Sequence, residues 1–375
     1  MRIALAVDAV VPPLTGIGRY AWELAKHFSE FGDPIRSVRF FFADQLITDA
    51  RSVLMGNAAA GLRPRWLPRV MSSNRRIRNW RMQRCLKGYL FHAPNYFLPD
   101  KVERGVVTVH DLSVFRFPET HPAERLLHFE RSFAATLRRA AHLITDSEAI
   151  RQEVASHFGW SLDRITAVPL GVSREFRPRP ADELIASLAS FGLVPGGYAL
   201  CVSTLEPRKR IDKLLVAYAM LPSALRARYP LVLIGGPGWL SDTLHSAIAR
   251  AESEGWLRYL GFVPEAQLPA LYAGAHAFFM PSKYEGFGLP VLEALASGVP
   301  TLTSNTSSLP EVAGDAAWLV ESDDHDALRD GLEAVLVDDA WRSAAIARGL
   351  SIARGMTWEQ CAVRTLDVYR HVAAS

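Results

Sequence analysis

Three cysteines, Cys85, Cys201 and Cys361, are all that 375 residues contain, and they lie far apart. An odd, scattered set excludes a disulfide framework and offers no Cys-x-x-Cys metal spacing. Thiols of this kind are at home in a reducing cytoplasm, and a cytoplasmic protein is expected. Long apolar runs are also missing: the hydrophobic stretches are strand-length, short of the roughly 20 residues a membrane-spanning helix needs. No secretory leader is expected, because Met1-Arg2-Ile3 runs straight into a strand pattern. No helix-turn-helix, zinc-finger or RNP-type signature supports nucleic-acid binding.

What is present is enough apolar material for two cores. Hydrophobic residues make up 49% and charged residues 22%, which excludes wholesale disorder. At about 100 to 200 residues per domain, the length suggests two domains. The net charge of +3 hides a division. Residues 1–180 hold 27 Lys and Arg against 17 Asp and Glu, giving +10, while the remaining 15 against 22 give −7. Such asymmetry points the first half toward an anionic surface or substrate.

Strand patterns at 3–11, 38–42, 90–92, 106–110 and 143–146 alternate with helical stretches near 19–31, 123–139 and 149–158. A segment rich in proline and glycine, with a short helix inside it, reads as a linker over 174–196. A second series follows, with strands at 198–203, 231–234, 259–261, 277–280, 301–303 and 317–320. Helices are expected between them, and the stretch from 326 nearly to the end reads as helical. Strand and helix alternation predicts parallel sheets covered on both faces, with ligands outside the carboxyl ends of the strands.

The densest chemical signal is Lys283 to Glu293, a strand end, a glycine turn and a helix that Pro290 can start. The unpaired amides of a helix N-terminus, and its dipole, favour phosphate oxygens. Gly286 and Gly288 permit close approach. Glu285 before the turn and Glu293 one turn into the helix could line one ligand at different depths, and carboxylates accept well from sugar hydroxyls. Arg208 and Lys209 follow the first strand of the second series, from where they could reach the same phosphates. Gly16-Ile17-Gly18 lacks both the third glycine and the downstream acid of a dinucleotide fingerprint, so a nicotinamide site is not expected. Asp324-His325-Asp326 fits an Asp-x-Asp metal pattern but precedes a helix, where capping acids belong. His121 and His128 are read as sharing one helix without a third ligand. Six cations between Arg75 and Lys87, with apolar residues at 82, 86, 89 and 90, could form a basic amphipathic helix at an anionic membrane.

Glu285 and Glu293, with seven residues between them, within YEGFGLPVLEALASGVP, resemble the signature of the retaining family-four glycosyltransferases. The likeness extends in order through GIGRY (16–20), TVHDLS (108–113), STLEPRKRID (203–212), LIGGPGW (233–239) and SSLPEVAGDAAWLV (307–320). It implies an α/β fold of GT-B architecture, two Rossmann-like doubly wound domains facing across a cleft. On that pattern residues 1–173 form the acceptor-side domain and 197–355 the donor-nucleotide domain, with a final helix over 356–375 packing back on the first domain. The resemblance assigns catalytic parts to Glu285, His110 and Lys209. It places Gly16, Gly18, Ser203, Arg208, Lys209, Val263, Glu285, Gly286, Phe287, Gly288, Leu289 and Glu293 around the donor. Glu285 would meet the sugar, Glu293 the nucleotide ribose, and Arg208 would replace an arginine that some members carry where this chain has Ser203.

The activity so implied is retaining transfer of a hexose from a nucleoside diphosphate sugar, without metal or other cofactor. Within the family the motifs most resemble bacterial O-antigen and polysaccharide mannosyl- or rhamnosyltransferases, suggesting GDP-mannose or GDP-rhamnose. A lipid-linked glycan acceptor would suit the basic first half, with Arg75, Arg76, Arg78 and Arg81 touching acceptor or the inner face of the cytoplasmic membrane. The rival readings are a nucleotide-sugar epimerase or phosphorylase on the same fold, and a sugar-nucleotide binder without catalysis. Turnover of donor without acceptor would mark the first, and donor binding without transfer the second.

Overall fold

The computed structural model describes residues 1–374 except 34, 56–82, 237 and 239–241. Arg75, Arg76, Arg78 and Arg81 lie outside the described residues.

The first sheet is built from β1 (Arg2–Ala6), β2 (Ser37–Phe42), β3 (Gln45–Ile47), β4 (Leu90–Ala93), β5 (Gly105–Val109), β6 (Ala140–Thr145) and β7 (Ile165–Ala167). Their spatial order is β3-β2-β1-β4-β5-β6-β7. Every pairing is parallel except β2 with β3, a hairpin turning through Ala43 and Asp44 at φ 46° and 65°. The second sheet contains β8 (Ala199–Val202), β9 (Leu231–Ile234), β10 (Leu257–Gly261), β11 (Ala277–Met280), β12 (Thr301–Ser304) and β13 (Ala317–Val320). It is all parallel, in the order β10-β9-β8-β11-β12-β13. Strands such as GVVTV of β5 and AFFM of β11 are buried throughout, because helices cover both faces of such a sheet.

Each sheet reverses direction once, between β1 and β4 in the first and between β8 and β11 in the second. Ligands of open α/β sheets bind at such switch points, beyond the carboxyl ends of the strands. The GIGRY segment follows β1, His110 follows β5, STLEPRKR follows β8 and YEGFG follows β11. The motifs therefore converge on two facing strand ends.

Helix 16–30 starts at Thr15, whose hydroxyl accepts from Gly18 N at 3.3 Å. It buries Tyr20, Ala21, Leu24, Ala25 and Phe28, a one-face spacing. The final helix, Trp358–Ala374, packs against it and against β6. There the Tyr369 hydroxyl meets His92 Nδ1 at 2.6 Å, and His92 Nε2 meets the Thr108 hydroxyl at 2.8 Å. Burial pushes the His92 imidazole down to about 3, so it stays neutral. The chain leaves the first domain after β7 and returns after residue 354. Where the two crossings pass, Val172 N donates to Met356 O at 3.0 Å and Val172 bridges Thr357.

The stretch after 325 is helical as expected, in three helices, 325–337, 339–354 and 358–374, the Asp338 carboxylate accepting from Trp341 N and starting the second. One reading is corrected by the structure. The helix carrying His128 begins at Ala123 after Pro122, so His121 is not on it. β3 and β7 are short strands that the sequence pattern does not announce.

Candidate active site

The turn after β11 is held from outside. Ser307 Oγ donates to the Glu285 carbonyl at 2.5 Å and Ser308 Oγ to the Phe287 carbonyl at 2.8 Å, which gives the SSLPE segment its structural part. Gly288 sits at φ 113° immediately before helix 289–296, a conformation that suits glycine. Pro290 occupies the first turn of that helix, as expected of a residue without an N–H. A Cβ added at Gly286 would stand 2.0 Å from the carbonyl oxygen of His110. The glycine is what lets the second domain press its turn against the strand end of the first.

Glu285 is 8% exposed and lies between two cations. Lys209 Nζ contacts both of its oxygens, at 2.7 and 2.9 Å, and Arg208 Nη1 approaches Oε2 at 3.3 Å. Burial alone would raise this carboxyl, but Lys209 and then Arg208 outweigh it and hold it below the usual range. Arg208 also donates to the Tyr284 carbonyl at 2.5 Å and faces Glu206 at 3.5 Å. Burial opposes its charge, yet Glu285, Asp111 and Glu206 raise it overall. Both cations come from the turn 207–209 that follows β8.

The Glu293 carboxylate, 4% exposed, meets Arg19 Nη1 of the first domain at 2.6 Å, and Arg19 Nη2 meets Glu265 at 2.9 Å. Burial, the largest influence, raises the Glu293 carboxyl, with Arg19 opposing. Gly16 and Gly18 begin the same helix. Gly18 has the Ala9 carbonyl 2.6 Å from where its Cβ would be, whereas Gly16 approaches Leu289 of the other domain. Val263 is buried just past β10, and the Ser203 hydroxyl donates to the Thr204 carbonyl at 3.2 Å.

His110 is buried with its ring turned into the first domain. Nδ1 lies 2.7 Å from Asp146 Oδ2 and Nε2 lies 2.8 Å from the Pro94 carbonyl oxygen. With Asp146 ionised both neighbours are acceptors, and the doubly protonated ring satisfies both contacts together. Desolvation opposes that charge, but Asp146 overcomes it and raises the imidazole. Asp111 is a cap, accepting from Ser113 N at 2.9 Å and Ser113 Oγ at 2.8 Å. Asp324 is likewise a cap, accepting from Ala327 N at 3.0 Å.

The structure thus gathers Glu285, Lys209, Arg208 and the 286–289 turn into one cluster and seats Glu293 one helical turn deeper. It also supplies partners that motif spacing did not reveal: Arg19, Glu265, Asp146 and Glu311. The Glu311 carboxylate crosses to the first domain and accepts from Glu148 N at 2.9 Å and Ala149 N at 3.2 Å, capping helix 148–158. Tyr284 crosses as well, accepting from Leu112 N at 2.9 Å and donating to Glu153 at 2.6 Å. Arg19 stood in a quoted motif and Asp146 closes an otherwise apolar strand, but nothing local names their partners.

Two parallel α/β sheets that oppose their switch points across a buried carboxylate, two cations and a glycine turn define a two-domain glycosyltransferase of GT-B architecture. The chain belongs to that family in the narrower sense too: residues 14–176 match the model described as Glycosyltransferase Family 4, and residues 195–350 match Glycosyl transferases group 1. It is 41% identical over 99% of its length to the O-antigen chain mannosyltransferase B of Escherichia coli, all of which is covered. It is 31% identical over 72% of its length to the serotype-specific mannosyltransferase WbdA of the same species, covering 34% of that longer protein. Among solved structures, WaaG, a glycosyltransferase involved in lipopolysaccharide biosynthesis, aligns over 98% of this chain and 99% of its own with TM-score 0.69 and 17% identity. Anabaena HepE in complex with UDP aligns over 99% of this chain and all of its own with TM-score 0.73 and 17% identity, a likeness of fold. No helix among the described residues is long and apolar enough to cross a membrane.

Proposed function

We propose that this enzyme transfers mannose from GDP-mannose, with retention of anomeric configuration, to a growing O-antigen-type glycan carried on a membrane lipid. The relative that matches along its whole length is named for mannosyl transfer to an O-antigen chain, which supports both the sugar and the acceptor class. The observation that carries the chemistry is the Lys209–Glu285–Arg208 cluster beside the 286–289 turn. Glu285, kept ionised by its two neighbours, suits a sugar ring that gains positive character. Lys209, Arg208 and the turn amides suit a diphosphate that gains negative charge on leaving, and such preorganised charge is usually the largest catalytic contribution. A double displacement would need a second carboxylate close by on the other face of the sugar. Across from the turn stands His110, ring-bound to Asp146 and Pro94, so we favour a front-face route. In it the acceptor oxygen bonds to the anomeric carbon as the phosphate leaves, and the departing phosphate oxygen takes the acceptor proton.

With Lys209 and Arg208 proposed to meet the diphosphate, and Asp324 employed as a cap, we propose transfer independent of metal. The basic first half would hold the enzyme on anionic lipid, at the inner face of the cytoplasmic membrane. Transfer assays over GDP-mannose, GDP-rhamnose, UDP-glucose and UDP-galactose, read by mass spectrometry, test the donor, and NMR of the product tests retention. A β-linked product from an α-linked donor would overturn the mechanism. Activity lost in EDTA and restored by Mn²⁺ would overturn metal independence.

A further inference from the structure

Arg19 belongs to the first domain, yet both of its ion-pair partners belong to the second. Its guanidinium spans Glu293 at 2.6 Å and Glu265 at 2.9 Å, with the side chain 12% exposed. Arg19 engages Oε1 of Glu293, and the Tyr272 hydroxyl bonds to the same carboxylate. Facing Glu293 are Arg19 from helix 16–30, Tyr272 from helix 268–273 and Glu265 from the turn before it. Glu23, one turn along from Arg19, faces both Arg19 and Glu265. Among these, Arg19 is the cation, and it reaches Glu293 from the facing domain.

Resting on the reading that Glu293 receives the nucleotide ribose, we propose that Arg19 is a positioning residue for the donor. It holds the Glu293 carboxylate charged and aimed, so that the grip on the nucleotide depends on the first domain swinging in. A ribose hydroxyl donates best to an ionised carboxylate. Burial works against that charge and Arg19 opposes burial, so the same carboxylate without Arg19 is a poorer acceptor. Donor recognition then draws on both domains, and without the contact from Arg19 the nucleotide is held more weakly.

The test is calorimetric binding of GDP, with UDP alongside, to the full chain between pH 5.5 and 9. Arg19→Gln should raise the GDP Kd about tenfold at pH 7, the size of one charge-assisted hydrogen bond. The loss should shrink at high pH, because the unsupported Glu293 carboxyl titrates higher. Arg19→Lys should restore part of the affinity and of the pH profile, and kcat at saturating donor should change far less than KM. In a double-mutant cycle, Arg19→Gln should add nothing to Glu293→Gln, which carries no charge to support. A raised Kd with the wild-type pH profile, or additive effects in the cycle, would reduce Arg19 to a packing residue and overturn the proposal. An effect of Glu293→Gln with none from Arg19→Gln removes this inference alone, whereas an unchanged Kd in Glu293→Gln removes the ribose reading and the inference with it.

Discussion

Glu285 is the residue on which the chemistry turns, and Glu285→Gln keeps its volume while removing the charge. Turnover should fall by about 10² to 10³ with the fold retained, as checked by transfer assay and circular dichroism. Arg208 and Lys209, read from the sequence as equivalent phosphate ligands, are unequal in the structure. Arg208 alone is bonded to a backbone carbonyl and set among three carboxylates, so Arg208→Ala strips buried charges of their partner. That variant should lose about 3 to 5 kcal/mol of stability besides donor affinity. Lys209→Ala should raise the donor KM with a smaller change in urea midpoint. A third test concerns His92, held neutral in the folded chain at about 3 against 6.5 for a free histidine. Below pH 6.5 the unfolded chain takes up a proton that the native one refuses, so stability falls by roughly 1.4 kcal/mol per pH unit toward pH 4. His92→Gln should flatten that slope in urea titrations. The motif glutamates were legible because their backbone setting is local. Arg19 on Glu293 was not, because 274 residues separate partners that only the closed fold brings together.

At the scale of elements, strongly periodic segments were the readable ones. Helices 123–139 and 242–253 carry uninterrupted helical period and have those bounds in the structure. Strand β3 escaped notice because it has three residues and exists only by pairing with β2 across the Ala43–Asp44 turn. The break at Asp338 was hidden for a different reason: an acid between two helices looks like surface charge until its carboxylate is seen capping Trp341. The final helix is tied to the first domain through the buried Tyr369–His92 contact, with the His371 ring against His142. Tyr369→Phe should remove the bond to His92, leave a buried ring nitrogen unpaired and cost about 1 to 3 kcal/mol. Thermal unfolding checks this, and an unchanged midpoint would mean that the aromatic packing of Tyr369 on Phe28 carries the contact by itself.

For the molecule as a whole, the division of charge into +10 and −7 is the ground for the proposed contact with anionic bilayers. Replacing Arg75, Arg76, Arg78 and Arg81 with Gln should weaken binding to phosphatidylglycerol vesicles by up to about 4 kcal/mol at low salt, at about 1 kcal/mol per cation. The GDP Kd should stay unchanged, since none of these four arginines is among the residues assigned to the donor; equal flotation of mutant and wild type would leave the segment a solvated one. The two passages of the chain between domains meet at Val172 and Thr357 and are hydrogen-bonded side by side. At that point Gly171 is so tightly faced that an added Cβ would lie 2.0 Å from the amide nitrogen of Trp358. A single connecting strand could swivel like a tether, but two bonded strands behave as a door hinge: they resist twist and leave one axis of rotation. Any swing of one domain against the other would then run about that axis like a jaw, and Gly171→Ala, by forcing the strands apart, would loosen the register of its bite without touching a single group assigned to the substrate.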